Sequence, residues 1–277
     1  MTELKGTKEA IPREASLPPI PRCLSDAQDQ ASLSTLVTPK RGSITIFIAK
    51  SDPALEQVAP EIEGIIREAV EWCRDKVPLP NVDILVGRDP FQVIPRTGVA
   101  GYAPTAHLVR LAVDPKSAPL DDRMKLEVGA TIVHELHHCS RWSGPGYGTT
   151  LFEALVSEGL AQHFETDFRF ERSEGKPRDQ VAPFYAKVPS ESKLEELTAR
   201  AREEFHKPNY SPEDHSEWFF GAGKRGIPLY AGYAIGFDLV GTFLEKHKGT
   251  HTAATLVREP AKTFYEKGNA SELAEES

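Results

Sequence analysis

Apolar residues recur at helical spacing through residues 54–76, at Val58, Ile62, Ile65, Ile66, Ala69, Val70 and Cys73, which predicts one amphipathic helix with a single buried stripe. Ser51-Asp52-Pro53 just ahead supplies cap oxygens and a proline suited to a first helical turn. Residues 43–49, rich in β-branched and aromatic side chains, read as a strand before that helix, and residues 81–86 as a second strand after it. Residues 99–102 and 107–113 predict further strands, with Gly101 at a bend. Two helices follow, at about 121–141 and 149–167, separated by the breaker Gly144-Pro145-Gly146. Residues 169–212 are polar and irregular apart from a helix expected at 190–205, and a last helix at 229–246 is apolar on most sides and so is expected to pack inside.

Residues 1–42 mix Pro, Ser and charge without such periodicity, and the expectation there is a flexible tail, with a short docked segment near Leu33–Val37 and a folded domain over 43–277. A chain of 277 residues has room for a sizeable single core. No stretch approaches the roughly 18 consecutive apolar residues of a membrane span, and the N-terminus lacks the apolar run of a secretory signal. Three cysteines, Cys23, Cys73 and Cys139, are too few and unpaired in spacing for a disulfide framework or a zinc ribbon. The expectation is a cytoplasmic protein without a membrane partner. A net charge of −8 also argues against a nucleic-acid surface, which needs clustered Lys and Arg.

The candidate chemistry lies in His134-Glu135-Leu136-His137-His138, a HExxH pattern. A shuffled chain with nine His and 28 Glu would carry that pattern in roughly 3% of cases, so its weight comes from context. Residues four apart stand one turn above each other on a helix, so His134 and His138 can turn both imidazoles toward one ion. Glu135, about 100° further round, falls beside that ion, where a carboxylate can take a proton from water. The residues just before the motif, Val128, Ala130, Thr131, Ile132 and Val133, suit a buried helix, in which ligation offsets the cost of desolvating these groups.

A catalytic zinc needs a third protein ligand and an open position for water. The metzincin spacing is excluded, since position 141 is Arg and position 144 is Gly. Glu158, twenty residues beyond His138 on the following helix, is the favoured third ligand, with Glu153 its rival. HExxH with a downstream Glu at that distance resembles the gluzincin, thermolysin-type arrangement, and Gly159 and Ala161 would permit close helix approach. The resemblance extends to a bacterial family of predicted zinc-dependent proteases of otherwise unknown function, on three segments: His134–His138, Ser157-Glu158-Gly159-Leu160-Ala161, and Tyr230 to Gly236 with Gly232 and Tyr233 inside it. It spans roughly residues 43–250. It implies a zincin-like α+β fold, in which a small, mostly antiparallel sheet packs on the active-site helix beside a largely helical C-terminal lobe.

It also implies zinc held by His134, His138 and Glu158, with Glu135 as general base and Tyr233 as donor to the developing oxyanion; Tyr230 and His251 are weaker candidates for that last role. Where thermolysin-like enzymes often place an Asp to orient the first His, four residues after the ligand Glu, this chain has Gln162. His137 is read as a packing or surface residue, His163 as a satisfied or exposed histidine and Cys139 as a buried thiol. Residues 107–113 are read either as an edge strand that pairs with a peptide substrate or as an ordinary sheet strand. The expected function is hydrolysis of a peptide or protein substrate. The alternatives are an inactive zincin-fold protein that binds peptides, disfavoured by the retained Glu135, and a structural zinc site, disfavoured because Cys139 would point away from the ion.

Overall fold

A computed structural model of the protein describes residues 42–90, 92–116, 119–187 and 190–265, all within the unit Lys40–Ser277; the tail and docked segment expected over residues 1–41 lie outside them. Asp52 accepts a hydrogen bond from the Ala54 amide at 2.9 Å, and Pro53 fills the first turn of α1 (Pro53–Arg74). These caps start the helix where the polar triplet predicts it. The stripe Leu55, Ala59, Ile62, Ile66, Ala69, Val70 and Cys73 is buried.

Helix α1 joins β1 (Ile44–Ile48) to β2 (Val82–Gly87), and β3 (Val99–Thr105) turns back onto β4 (Leu108–Val113). The sheet order is β1-β2-β4-β3. Pairings β1/β2 and β2/β4 are parallel and only β3/β4 is antiparallel, so the sheet is mixed rather than mostly antiparallel as expected. The cause is connectivity. A 22-residue helix returns the chain to start β2 in the direction of β1, whereas the tight turn after Thr105 can only reverse it. β4 is therefore interior, and β3 forms one edge, opposite β1.

One face of the sheet, through Val82, Ile84, Val86, Val109, Leu111 and Val113, is buried in the core. Against the core lies α2 (Asp122–Trp142), capped by Asp121 accepting from Met124 N at 2.8 Å. Residues 132–141 of α2 are all buried. Apolar members of that run such as Ile132 and Leu136, fully covered, each contribute roughly 1.5–3 kcal/mol, and this fixes the face on which the polar members sit. Helix α3 (Leu151–Glu171) starts from a reciprocal capping box between Thr150 and Glu153.

Beyond α3 come the short α4 (Arg178–Val181), a 3-10 turn at Phe184–Ala186, α5 (Glu191–Arg202), α6 (Pro212–Phe220) and α7 (Ala231–Lys246). α7 is largely interior, as its composition predicts, and packs on α3. The approach needs two glycines: a Cβ on Gly159 would stand 2.1 Å from the carbonyl oxygen of Gly236. Gly159 thus admits α7 rather than the HExxH helix. α6 occupies a stretch where no helix was predicted, although Ser211 and Asp214 form a capping box at its start. Among the described residues no helix is long and apolar enough to cross a membrane.

Candidate metal centre

His134 and His138, one turn apart on α2, bring their Nε2 atoms to 3.1 Å. Glu158 reaches across from α3, with Oε2 at 3.2 Å from His134 Nε2 and Oε1 at 3.3 Å from His138 Nε2. All three side chains are buried, and among the described residues they form the one group of His, Cys, Asp or Glu whose donor atoms converge, within 4.8 Å of one another. Ligands placed tetrahedrally at about 2.0–2.1 Å from zinc lie about 3.3 Å apart. The separation of the two Nε2 atoms matches that edge length, as does each imidazole's approach to its nearer Glu158 oxygen, Oε2 for His134 and Oε1 for His138, and two imidazoles with one carboxylate are the ligand types of a catalytic zinc. The residues fit the ion.

Burial lowers the pKa of His134, but hydrogen bonds to Glu158 and Glu165 outweigh it and hold the imidazole well above its ordinary value. Burial likewise works against ionised Glu158, yet the two histidines hold its carboxyl well below the usual range. The buried imidazoles and carboxylates thus stabilise one another's charged forms.

The carboxylate that orients His134 is Glu165, not residue 162. His134 Nδ1 stands 3.1 Å from Glu165 Oε2, and an Nδ1–H donated there leaves Nε2 as a lone pair aimed at the centre. Glu165 is seven residues past Glu158, two turns along the same face of α3. It is buried, with Arg169 Nε donating to its other oxygen, Oε1, at 2.8 Å and the Tyr185 hydroxyl donating to Oε2 at 2.6 Å. Arg169 in turn forms a paired contact with Glu127 at 3.1 and 2.6 Å. Gln162 is fully buried, and neither of its amide atoms has a hydrogen-bond partner among the described residues.

Glu158 has a further partner: the Tyr147 hydroxyl donates to its Oε1 at 2.7 Å, from the turn between α2 and α3. Glu135 is buried beside the histidines, and burial raises the pKa of its carboxyl against their opposing pull. β3 passes directly over it, since a Cβ on Gly101 would lie 2.6 Å from Glu135 Cγ and Oε1.

A cleft of about 1600 Å³ opens over these groups. Tyr233, Tyr230, Tyr185, Tyr147 and His215 line it. Tyr233 and Tyr230 come from the start of α7, and Tyr230 holds a left-handed backbone with φ 67°. His215, on the unpredicted α6, has Nδ1 2.9 Å from the Tyr210 hydroxyl and its ring 4.4 Å from that of Phe219. Burial lowers its pKa, favouring the neutral ring. Tyr147, Tyr185, Glu165 and His215 carry no local sequence signal; only the two-turn spacing of Glu158 and Glu165 could have pointed to the carboxylate.

The remaining candidates fall elsewhere. Glu153 caps α3 through Thr149 and Thr150. His137 is fully buried, its Nε2 3.3 Å from the Ala253 carbonyl. His163 donates to the Phe237 carbonyl at 2.8 Å and stacks on that ring at 4.1 Å. Cys139 turns its thiol to the Thr105 carbonyl at 3.6 Å. His251 lies by Phe243 and His247, outside the cleft lining.

No curated protein matches this chain. The family model described as Predicted Zn-dependent protease (DUF2268) matches residues 62–266, most of the chain, which therefore belongs to that family.

Proposed function

We propose that this member of the predicted Zn-dependent protease family is a zincin-fold peptidase of the gluzincin type, with His134, His138 and Glu158 as zinc ligands and Glu135 as general base. The observation that carries the reading is the convergence of two imidazoles and a carboxylate at tetrahedral edge lengths, with a second buried carboxylate, Glu135, beside them. Zinc held there supplies Lewis-acid chemistry, acidifying a water and polarising a carbonyl.

Glu135 takes the proton from the attacking water and delivers it to the leaving nitrogen. The oxyanion needs a donor on the facing wall, and the Tyr233 hydroxyl fills that role. His215, kept neutral and with Nδ1 facing Tyr210, offers Nε2–H as a second donor.

Glu165 acts through His134, fixing its tautomer and the ring's aim. The strand that meets the substrate is β3, the edge strand nearer Glu135, and not residues 107–113, which lie inside the sheet. An extended peptide pairing with β3 beside Gly101, between the Val99 and Ala103 carbonyls that Ile94 and Trp142 already hold, passes over Glu135, because Gly101 brings that strand's backbone against the Glu135 side chain. A peptide-library cleavage profile of the zinc-loaded chain tests this. The native protein cleaves and Glu135→Gln does not, while both bind zinc; equal cleavage by the two would remove Glu135 from the mechanism.

A further inference from the structure

Exposed large apolar side chains are not scattered over this protein. Phe47, Leu85, Tyr102, Trp142, Phe220 and Leu229, six of the seven among the described residues, all line the cleft that also contains the metal centre. Three of them share one row of the sheet. Phe47 pairs with Leu85, Leu85 with Arg110, and Arg110 with Tyr102. Side chains alternate faces along a strand, so all four point to the face opposite the buried one. At about 4.8 Å per strand the row runs about 14 Å across the sheet.

Arg110 is the only charged member of that row. It makes no salt bridge and no side-chain hydrogen bond among the described residues, unlike Arg88, Arg141, Arg169 and Arg225, each of which is tied to carboxylates or carbonyls. A guanidinium with no partner among the described residues, set between Leu85 and Tyr102, is complementary to a carboxylate flanked by apolar groups. It can bind both oxygens of that carboxylate while its neighbours cover the stem. A contiguous apolar patch of this kind marks a binding surface.

We propose that this row is a substrate-selecting surface: it holds a segment of the peptide substrate flanking the cleaved bond, by large apolar side chains on either side of an Asp or Glu that pairs with Arg110. The proposal rests on the peptidase reading for the word substrate. The row and the metal centre line the same cleft, the row on the outer face of the sheet and the centre under the face to which Gly101 belongs, so a chain reaches from one to the other by crossing the β3 edge.

The test is selection from a displayed random-peptide library on the full-length, zinc-loaded Glu135→Gln chain, which cannot destroy what it binds. Peptides carrying an acidic residue among aromatic or large aliphatic ones are expected. Synthetic copies should bind about fivefold or more weakly to the same chain with Arg110→Glu, and selection on that variant should turn toward Lys and Arg. Arg110→Gln should weaken binding without that reversal, and unchanged melting and zinc content certify the fold of both.

Selected peptides indifferent to the charge at 110, or no peptide selected by the folded chain, overturn the proposal. So does a dimer that Phe47→Ser with Leu85→Ser converts to monomer while the selected peptides stay the same, since the face would then join two copies. Zinc content and turnover are read separately. A chain without turnover that still selects acidic peptides keeps this surface and loses the peptidase reading, whereas active enzyme whose selection ignores Arg110 loses the surface alone.

Discussion

His134 is gripped at both ring nitrogens, with Nδ1 3.1 Å from Glu165 Oε2 and Nε2 3.2 Å from Glu158 Oε2. Both carboxylates come from α3, two turns apart, so a single helix presents the third candidate ligand and the group that aims the first. Replacing Glu165 by Gln keeps the shape but removes the charge. Losing such a partner of a ligating histidine costs about 10–100-fold in metal affinity, and a zinc competition titration of Glu165→Gln should show a drop in that range. Gln162→Ala, by contrast, should leave zinc affinity nearly unchanged.

β3 crosses the centre at Gly101, where a Cβ would meet Glu135 and Thr131 at 2.6 Å. Gly101→Ala must therefore displace the Glu135 carboxylate or the strand. Overpacking of this kind destabilises by about 1–3 kcal/mol, and kcat/KM should fall by at least about tenfold while zinc still binds. Wild-type kcat/KM in a folded Gly101→Ala protein would show that neither the strand nor Glu135 moved.

The contact between α3 and α7 is made backbone to backbone, with a Cβ on Gly159 meeting the Gly236 carbonyl at 2.1 Å. Gly159→Ala has no side-chain end that can swing away, so the helices must part. A loss of about 3 kcal/mol or more is expected in denaturant unfolding, with weaker zinc binding because Glu158 is the adjacent residue.

Burial pushes the His163 pKa from 6.5 down to about 4. The unfolded chain takes up its proton near 6.5 and the folded chain only near 4, so this group leaves stability intact above pH 6.5 and erodes it as pH falls toward 4. At pH 5.5 that amounts to about 1.4 kcal/mol. Measured in the presence of chelator, thermal unfolding of His163→Gln should decline less than wild type between pH 7 and 5; parallel curves would place the acid sensitivity elsewhere.

The helices that carry the centre were legible because their information is local. Asp121 and Thr150 cap them, apolar spacing orients them, and the His134–His138 interval puts two imidazoles on one face. What was not legible is nonlocal. The parallel pairing of β2 with β4 depends on where β3 is left over, and Tyr147, Tyr185 and His215 reach the cleft from separate turns and a short helix. Gln162 misled because a four-residue interval was expected, whereas Glu165 meets His134 two turns beyond Glu158.

The central claim is that Glu158 completes a three-ligand zinc site with His134 and His138, and the most direct measurement is the zinc content of purified Glu158→Ala beside the native chain. One zinc per native chain and a sharp fall in the folded variant are predicted. Full zinc retained by Glu158→Ala would contradict the site.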